Sequence, residues 1–387
     1  MAAKVWSSDA VAPPAPAARA APDAELDALA RRVTDELAAA PAAVVAAAIR
    51  VGERWRAGIG AAGALSRDGA PTTPGTVFDL ASITKPFTAL AAARLARRGV
   101  VSLATPLGEL VAEARGTASE RVPLELFLAH RAGLASHRTL WAPLLSGVPI
   151  DRAAALRAAA EGRRDECSGP APVEGFAPVY SDLGYLLAGE ALARAAGAPL
   201  DAVIDEEVAR PLGIAARSAA AVRAGRRVSV APTEVVPFRG GVVVAAVHDE
   251  NAWALGRLRV SGHAGLFGDA GDVLTLGIGL VEALAGEREA WLRPTDLAPL
   301  VRARPGGTLR AGFDGKSGEG SSAGDRFGAR TFGHLGFTGT SVWIDPDASL
   351  VGVLLTNRVH PSRDNVAIRA ARPLVYDAIA EWGAAQR

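Results

Sequence analysis

Ser82-Ile83-Thr84-Lys85 places a hydroxyl and an amine three residues apart, and Pro86 follows at once. Proline lacks an N–H and is tolerated only in the first helical turn, so this order predicts a helix starting near Ser82. Residues i and i+3 share one helix face, which brings the Lys85 amine within reach of the Ser82 hydroxyl. A serine hydroxyl is a weak nucleophile until a neighbouring base accepts its proton. N–H groups at the helix start would also favour negative charge developing beside Ser82. The plainer alternative is a helix-capping serine with a solvated lysine. Composition weighs against it. Of 42 basic residues only Lys4, Lys85 and Lys316 are lysines, and the other 39 are arginines. Where arginine serves for simple positive charge, a lysine in an ordered segment is a candidate for losing its proton, which arginine cannot do.

Two further segments carry polar groups that chemistry could use. Tyr180-Ser181-Asp182 follows a Pro/Gly loop and precedes an apolar run, Leu183 to Leu192. Either Ser181 or Asp182 could cap a helix there. Gly333-His334-Leu335-Gly336-Phe337-Thr338-Gly339-Thr340 opens a terminal hairpin, with small residues that let a backbone approach a ligand and offer an N–H to an oxyanion. Other matches fail on context. Gly58-Ile59-Gly60-Ala61-Ala62-Gly63 fits a dinucleotide fingerprint but runs out of a strand into a turn, with no helix to hold a pyrophosphate. Gly320-Ser321-Ser322-Ala323-Gly324 fits a nucleophile elbow but lies in a Gly/Ser loop. His248-Asp249-Glu250-Asn251, with His263 as its nearest partner, lacks metal-ligand spacing and reads as a loop bordering a pocket. Arg358 and Arg363 read as surface charges, with bidentate carboxylate binding as the other reading. No metal and no cofactor is expected.

Stepping outward, strands are expected at both ends of the chain. Val44 to Ile49 and Trp55 to Ala61 form a hairpin, and Thr338 to Ile344 and Leu350 to Thr356 form another. Helices are expected from Asp23 to Ala40, from Ser82 to Gly99, and from about Asn365 to Trp382. Ala/Leu/Arg-rich helical segments occupy the middle. The expected fold is therefore of α/β (α+β) class: an antiparallel sheet built from the N- and C-terminal segments, flanked by helices, with a mostly helical insertion. The expected divisions are a disordered Ala/Pro-rich start (1–22), a sheet domain (23–100 and 290–387) and a helical domain (101–289). With 387 residues, 49% hydrophobic and a net charge of +1, the chain can bury a large core and lacks the basic surface of a nucleic-acid binder. Cys167 is the single cysteine, reads as a bystander in a polar loop, and precludes an intrachain disulfide. No run is apolar enough for a membrane span or a signal peptide, so a cytoplasmic location is expected, or a periplasmic one if a signal has been removed.

The order of the three segments is distinctive. A helical SxxK, a YSx about a hundred residues later and a His-x-Gly strand near the end resemble the penicillin-recognising serine enzymes. The chain is similar from about Pro41 onward to the class C β-lactamase and low-molecular-weight penicillin-binding protein family, including its esterases and D-stereospecific peptidases. The resemblance extends through 78–88, 126–134, 180–185, 334–340 and 354–358. It implies Ser82 as the acylated nucleophile, Lys85 as its proton acceptor and Tyr180 as the phenol that relays protons. It also implies Asp182, His334, Gly336 and Phe337 as pocket residues, with the Ser82 and Phe337 amides as oxyanion donors. The implied substrate is a small ester, amide or β-lactam. An esterase or D-Ala carboxypeptidase is expected; a true class C β-lactamase and a catalytically silent penicillin-binding scaffold or sensor are the alternatives. His334-Leu335-Gly336 replaces the Lys-Thr-Gly usual in β-lactamases, and Asp182 stands where Asn is frequent. A carboxylate there would hold Lys85 charged.

Overall fold

The computed structural model describes residues 20–225 and 229–387. In chain order the elements that frame the site begin with β1 (Ala21–Pro22), α1 (Ala24–Arg31), β2 (Ala42–Val51), β3 (Arg54–Gly63), β4 (Phe78–Asp79) and α2 (Thr84–Arg97). Next come α3 (Asp182–Ala196), α4 (Glu250–Gly256), β5 (Leu266–Gly268) and α5 (Ala270–Leu284). Last are β6 (Asp314–Gly315), β7 (Phe332–Leu335), β8 (Ser341–Asp345), β9 (Leu350–Thr356) and α6 (Ile368–Ala385). Among the described residues, seven strands form the main sheet in the order β1-β3-β2-β9-β8-β7-β6. All pairings are antiparallel except β1 with β3.

The sheet closes where the two chain ends meet. Ala46 of β2 faces Ile59 on one side and Val353 on the other. The sequence of β2 is almost wholly apolar because both faces are buried and alternate residues point opposite ways. Ala43, Val45, Ala47 and Ile49 pack under α1 and α6, with Leu26, Tyr376, Ile379 and Trp382. Val44, Ala46 and Ala48 face the larger core with Phe87 and Leu90 of α2 and Leu274 and Ile278 of α5. Helix α2 is buried over nearly its whole length, as expected of a helix without a polar face.

Several expectations are modified. The strand expected over 338–344 divides: β7 ends at Leu335, and the chain turns before β8 starts at Ser341. Hydrogen bonds from Gly336 N to Thr340 O (2.7 Å) and from Gly339 N to Gly336 O (3.1 Å) close that turn. Of the start expected to be disordered, residues 1–19 lie outside the described residues, while Ala21–Pro22 pair with Gly58–Ile59. Helix α5, assigned by sequence to the helical segment, packs on the sheet; a Cβ at its Gly277 would meet Val351 Cγ1 at 2.3 Å. A second small sheet joins β5 to β4 and to Arg217–Ser218, fastening the nucleophile segment to the inserted one. Cys167 is buried, and Trp343 belongs to the core.

Candidate active site

The chain reaches Ser82 through a tightly held turn. Ala81 has φ +48°, an unfavourable conformation for a residue with a side chain, and a short 3-10 turn over Ala81–Ile83 leads into α2. Asp79 secures it: Oδ1 accepts the Ala81 N–H at 2.8 Å and Oδ2 accepts the His248 N–H at 2.7 Å. Burial pushes the Asp79 carboxyl up to about 6, against the pull of those two amides. From the other side the 336–340 turn leans on the same segment. Thr338 Oγ1 donates to Asp79 O (2.8 Å) and Thr340 Oγ1 to Leu80 O (3.0 Å). The approach is close enough to demand glycine at 336, where a Cβ would lie 1.9 Å from Thr340 Oγ1 and 2.7 Å from Leu80 O.

Lys85 is fully buried one turn beyond Ser82. Its Nζ donates to Ser82 Oγ (2.9 Å), Asp182 Oδ1 (2.7 Å) and His263 O (3.3 Å). Burial opposes its charge, yet Asp182 and Tyr180 outweigh burial and leave the Lys85 pKa above its usual value. The Nζ lies 4.6 Å from the centre of the Tyr180 ring. Burial raises the Tyr180 pKa; the Lys85 charge and interactions of the hydroxyl with Lys85 and Ser82 pull the other way. Ser181, between the two, caps α3: its Oγ accepts the Gly184 N–H and donates to Ala135 O (2.6 Å).

Two histidines brace Tyr180. His130, at φ +59°, stacks on its ring at 4.7 Å and accepts the Ser181 N–H on Nδ1 (3.0 Å). His334 tilts against it at 5.9 Å. Burial and the Lys85 charge push His130 well below its usual value and His334 down to about 3, so both are neutral. The sequence put the His334 side chain in the pocket wall. It is instead buried beside Tyr180, its Nδ1 bonded to its neighbour's Leu335 O, and the wall is formed by Leu335, Gly336 and Phe337.

These groups open on a cavity of about 590 Å3 whose lining includes Ser82, Tyr180, Asp182, Gly336 and Phe337. Of the residues singled out by sequence, Ser82, Lys85, Tyr180, Asp182, Gly336 and Phe337 converge there. Another stretch of the wall is cationic, with Arg358, Arg363, Arg369 and Arg372. Arg358 is buried, not a surface charge; it donates to the carbonyls of Phe337, Arg363 and Asn365 and lies 4.5 Å from the Phe337 ring. Arg363 is paired with Glu234 and Glu250. Sequence reading missed His130, and it weighed His263 only as a partner in a metal site that it set aside. His263 Nε2 bonds Asp249 Oδ1 (2.9 Å), and Asp249 also caps α4 through the Ala252 N–H. The reading of 248–251 as a loop bordering a pocket holds, since His248, Asp249 and Glu250 line the cavity, and the fold adds the direct bond to His263. The dinucleotide-like glycines lie within β3, and Ser321 is buried in a loop before β7. Among the described residues, no group of three or more His, Cys, Asp or Glu is placed to hold a metal ion.

Known proteins share this fold. The beta-lactamase family model matches residues 29–376. The chain belongs to the beta-lactamase family. It is 30% identical over 227 residues to a putative D-alanyl-D-alanine carboxypeptidase of Escherichia coli K12, covering 54% of this chain and 52% of that one. It is 28% identical over 317 residues to an N-acetylmuramyl-L-alanine amidase of Bacillus subtilis, covering 74% and 68%. The chain thus spans about half the length of the curated carboxypeptidases it matches. Among solved structures, EstCE1, a hydrolase with promiscuous acyltransferase activity, superposes with a TM-score of 0.66 at 23% identity over 91% of this chain and 97% of its own. A class C beta-lactamase from Rhodobacter sphaeroides gives 0.63 at 19% over 92% and 98%. These likenesses establish the β-lactamase fold, with its mixed helices and sheet. Among the described residues, no helix is long and apolar enough to cross a membrane.

Proposed function

We propose that the protein is a serine hydrolase that forms an acyl-enzyme on Ser82 from a small ester or amide and releases it to water. One observation carries this reading: Lys85 Nζ, fully buried, bridges Ser82 Oγ and Asp182 Oδ1, both from residues that line a cavity, with the Tyr180 ring beside it. A lysine solvated for surface charge alone would not be buried against a serine hydroxyl. Ser82 Oγ attacks the carbonyl carbon, its proton passes into the Lys85 network, and the carbonyl oxygen becomes an oxyanion. The amides of Ser82 and Phe337, two residues of the cavity lining, would receive that charge. Tyr180, held between His130 and His334, is positioned to protonate the leaving group and then to orient the deacylating water.

The cationic wall favours a substrate that also carries a carboxylate, as a peptide ending in D-alanine does. Arg369 is exposed on that wall, and no side-chain hydrogen bond or ion pair engages it among the described residues. The site therefore supports a D-alanyl carboxypeptidase reading alongside the esterase one. Intact-mass analysis after fluorophosphonate and penicillin treatment tests the shared core. A single adduct on the wild type that is absent from Ser82→Ala is expected. No adduct on the wild type would leave the silent scaffold, and an adduct that persists in Ser82→Ala would refute the site. Turnover of p-nitrophenyl acetate and of D-alanyl peptides without nitrocefin hydrolysis would separate both readings from a class C β-lactamase.

A further inference from the structure

We infer that Asp182 is the terminal acceptor of the Ser82 proton, with Lys85 as carrier, and that a bound substrate turns this relay on by displacing water from Asp182. This rests on the acyl-enzyme reading above and deepens it. The geometry around Lys85 carries it. Its Nζ meets three oxygens: a hydroxyl, a carboxylate and a backbone carbonyl. A carbonyl and a carboxylate only accept, and the 2.7 Å contact with Asp182 is that of an ion pair, so at rest the lysine is held as an ammonium and its lone pair is not free for Ser82. The raised Lys85 pKa agrees with this, as does the raised pKa of Tyr180, which keeps its own proton at rest. Neither family-assigned base is ready in the empty site.

Asp182 is the group that can change this. It lies 2.7 Å from Nζ, and its side chain is 23% exposed while Lys85 is 0% exposed. Asp182 lines the cavity, so a substrate seated against Ser82 covers it. Removing water penalises the ion pair relative to its neutral form, in which the proton has crossed to Asp182. The step balances. One Nζ–H bond breaks and an Asp182 O–H forms, leaving a neutral amine. Ser82 Oγ then bonds the carbonyl carbon while its proton moves to the Lys85 lone pair, restoring the ammonium. The net transfer is one proton from Ser82 to Asp182, and the electron pair of the carbonyl π bond moves to the oxyanion. On collapse the proton returns through Lys85 and Tyr180 to the leaving group. The start of α3 favours the carboxylate at rest, so the charged pair is the ground state.

Other titratable groups facing the pair do not take over the role. His130 and His334 are held neutral by burial and by Lys85 itself. Tyr185, whose ring lies 5.6 Å from Nζ, donates its hydroxyl to Leu128 O and is pushed well above its usual value. Asp249 is engaged by His263, which lowers its pKa, and His263 offers Lys85 only its carbonyl.

The test is the pH profile of kcat/KM for p-nitrophenyl acetate, whose leaving group needs no proton, in wild type, Asp182→Asn and Asp182→Glu. Asparagine keeps the shape but cannot take the proton. Asp182→Asn is expected to lose about 10²-fold or more at neutral pH and to recover as pH rises and Lys85 loses its proton to solvent. Its acid limb therefore moves upward, while Asp182→Glu retains a wild-type-like limb. Asp182→Asn as active as wild type at neutral pH, or more so, would overturn the inference, since Asp182 would then merely pin Lys85. An equal loss at every pH would overturn it as well, marking a structural role. Fluorophosphonate labelling of wild-type Ser82 keeps the two levels apart: a labelled wild type with either outcome sinks only the relay.

Discussion

The two walls of the cavity hold their positive charges in opposite ways. On the Ser82 side the buried cation, Lys85, has a carboxylate 2.7 Å away and also donates to the His263 carbonyl. On the other stretch, among the described residues, buried Arg372 has only the carbonyls of Gly336 and Thr340 as acceptors, and its Nε has no partner. Burial lowers its pKa to about 10. Arg358 likewise donates only to carbonyls, and burial lowers it too. The first wall pairs its buried cation with a carboxylate; on the second, Arg363 has Glu234 and Glu250, while Arg358 and Arg372 are left to carbonyls. Uncompensated buried charge is unfavourable. An anionic group entering the cavity would offset that cost at Arg358 and Arg372, whereas Lys85 already has its carboxylate within the fold.

The largest test of that contrast is Lys85→Arg. It keeps a positive charge beside Asp182 but removes any group able to pass a proton, so acylation should fall by about 10³-fold or more. Hydrolysis of p-nitrophenyl acetate at near wild-type rate would mean that the first wall works by charge alone, like the second. A thermal melt guards against misfolding in this tight site. Next comes Gly336→Ala, at the seam of the two walls. The new Cβ must push the 336–340 turn off Leu80 O and Thr340 Oγ1, carrying the Phe337 amide with it. A loss of about 10²-fold in kcat with little change in KM is expected. An unchanged kcat would show that the Phe337 amide receives no oxyanion.

The contrast also decides what could be read from sequence. Ser82 and Lys85 are one helical turn apart, and Tyr180 and Asp182 flank a capping serine, so local rules reveal their spacing. The apolar run of β2 and the hairpin of β8 and β9 were equally legible, because burial on both faces leaves a continuous hydrophobic signature. The arginine wall was not. Arg358 looks like any post-strand charge until the fold lays it along Phe337, and Arg369 and Arg372 belong to a helix whose other face packs against β9. His130 and the direct bond of His263 were missed for the same reason: the partners, Ser181 and Asp249, are 51 and 14 residues away. The strand expected from Thr338 takes in the end of the 336–340 turn, which its own backbone hydrogen bonds and the contact with Leu80 hold out of the ladder.

Asp79 offers a subtler probe, since it is a buried charge on the first wall. Its folded-state pKa is raised to about 6 from 3.8, so between those values the native protein holds a proton that the unfolded chain has released. That contribution to stability is present below about 4 and is lost as pH rises through about 6. Asp79→Asn cannot titrate and cannot accept both the Ala81 and His248 amides with its single oxygen. The gap in unfolding free energy between wild type and variant should therefore narrow by about 2 kcal/mol from pH ~4 to pH ~6, whatever other groups titrate in both. A gap independent of pH would mean that Asp79 is already ionised throughout, and that the wall tolerates a bare buried carboxylate.

Arg369→Gln should have the smallest effect and the most selective one. Arg358 and Arg372 each hold backbone carbonyls of the 336–340 turn or its flank, so removing either disturbs the oxyanion side as well as the charge. Arg369 is exposed on the same wall and braces nothing among the described residues, which makes it the cleaner probe. A partly screened guanidinium–carboxylate contact contributes on the order of 1 kcal/mol, so KM should rise about five- to tenfold for esters or peptides bearing a free carboxylate. Their amidated counterparts and p-nitrophenyl acetate should be unaffected, and kcat should hold for all of them. Added salt should shrink the wild-type preference for the carboxylate, and should do so less in the variant. Equal changes for charged and neutral substrates would assign the wall's charge to folding, and the two walls would then differ in burial alone.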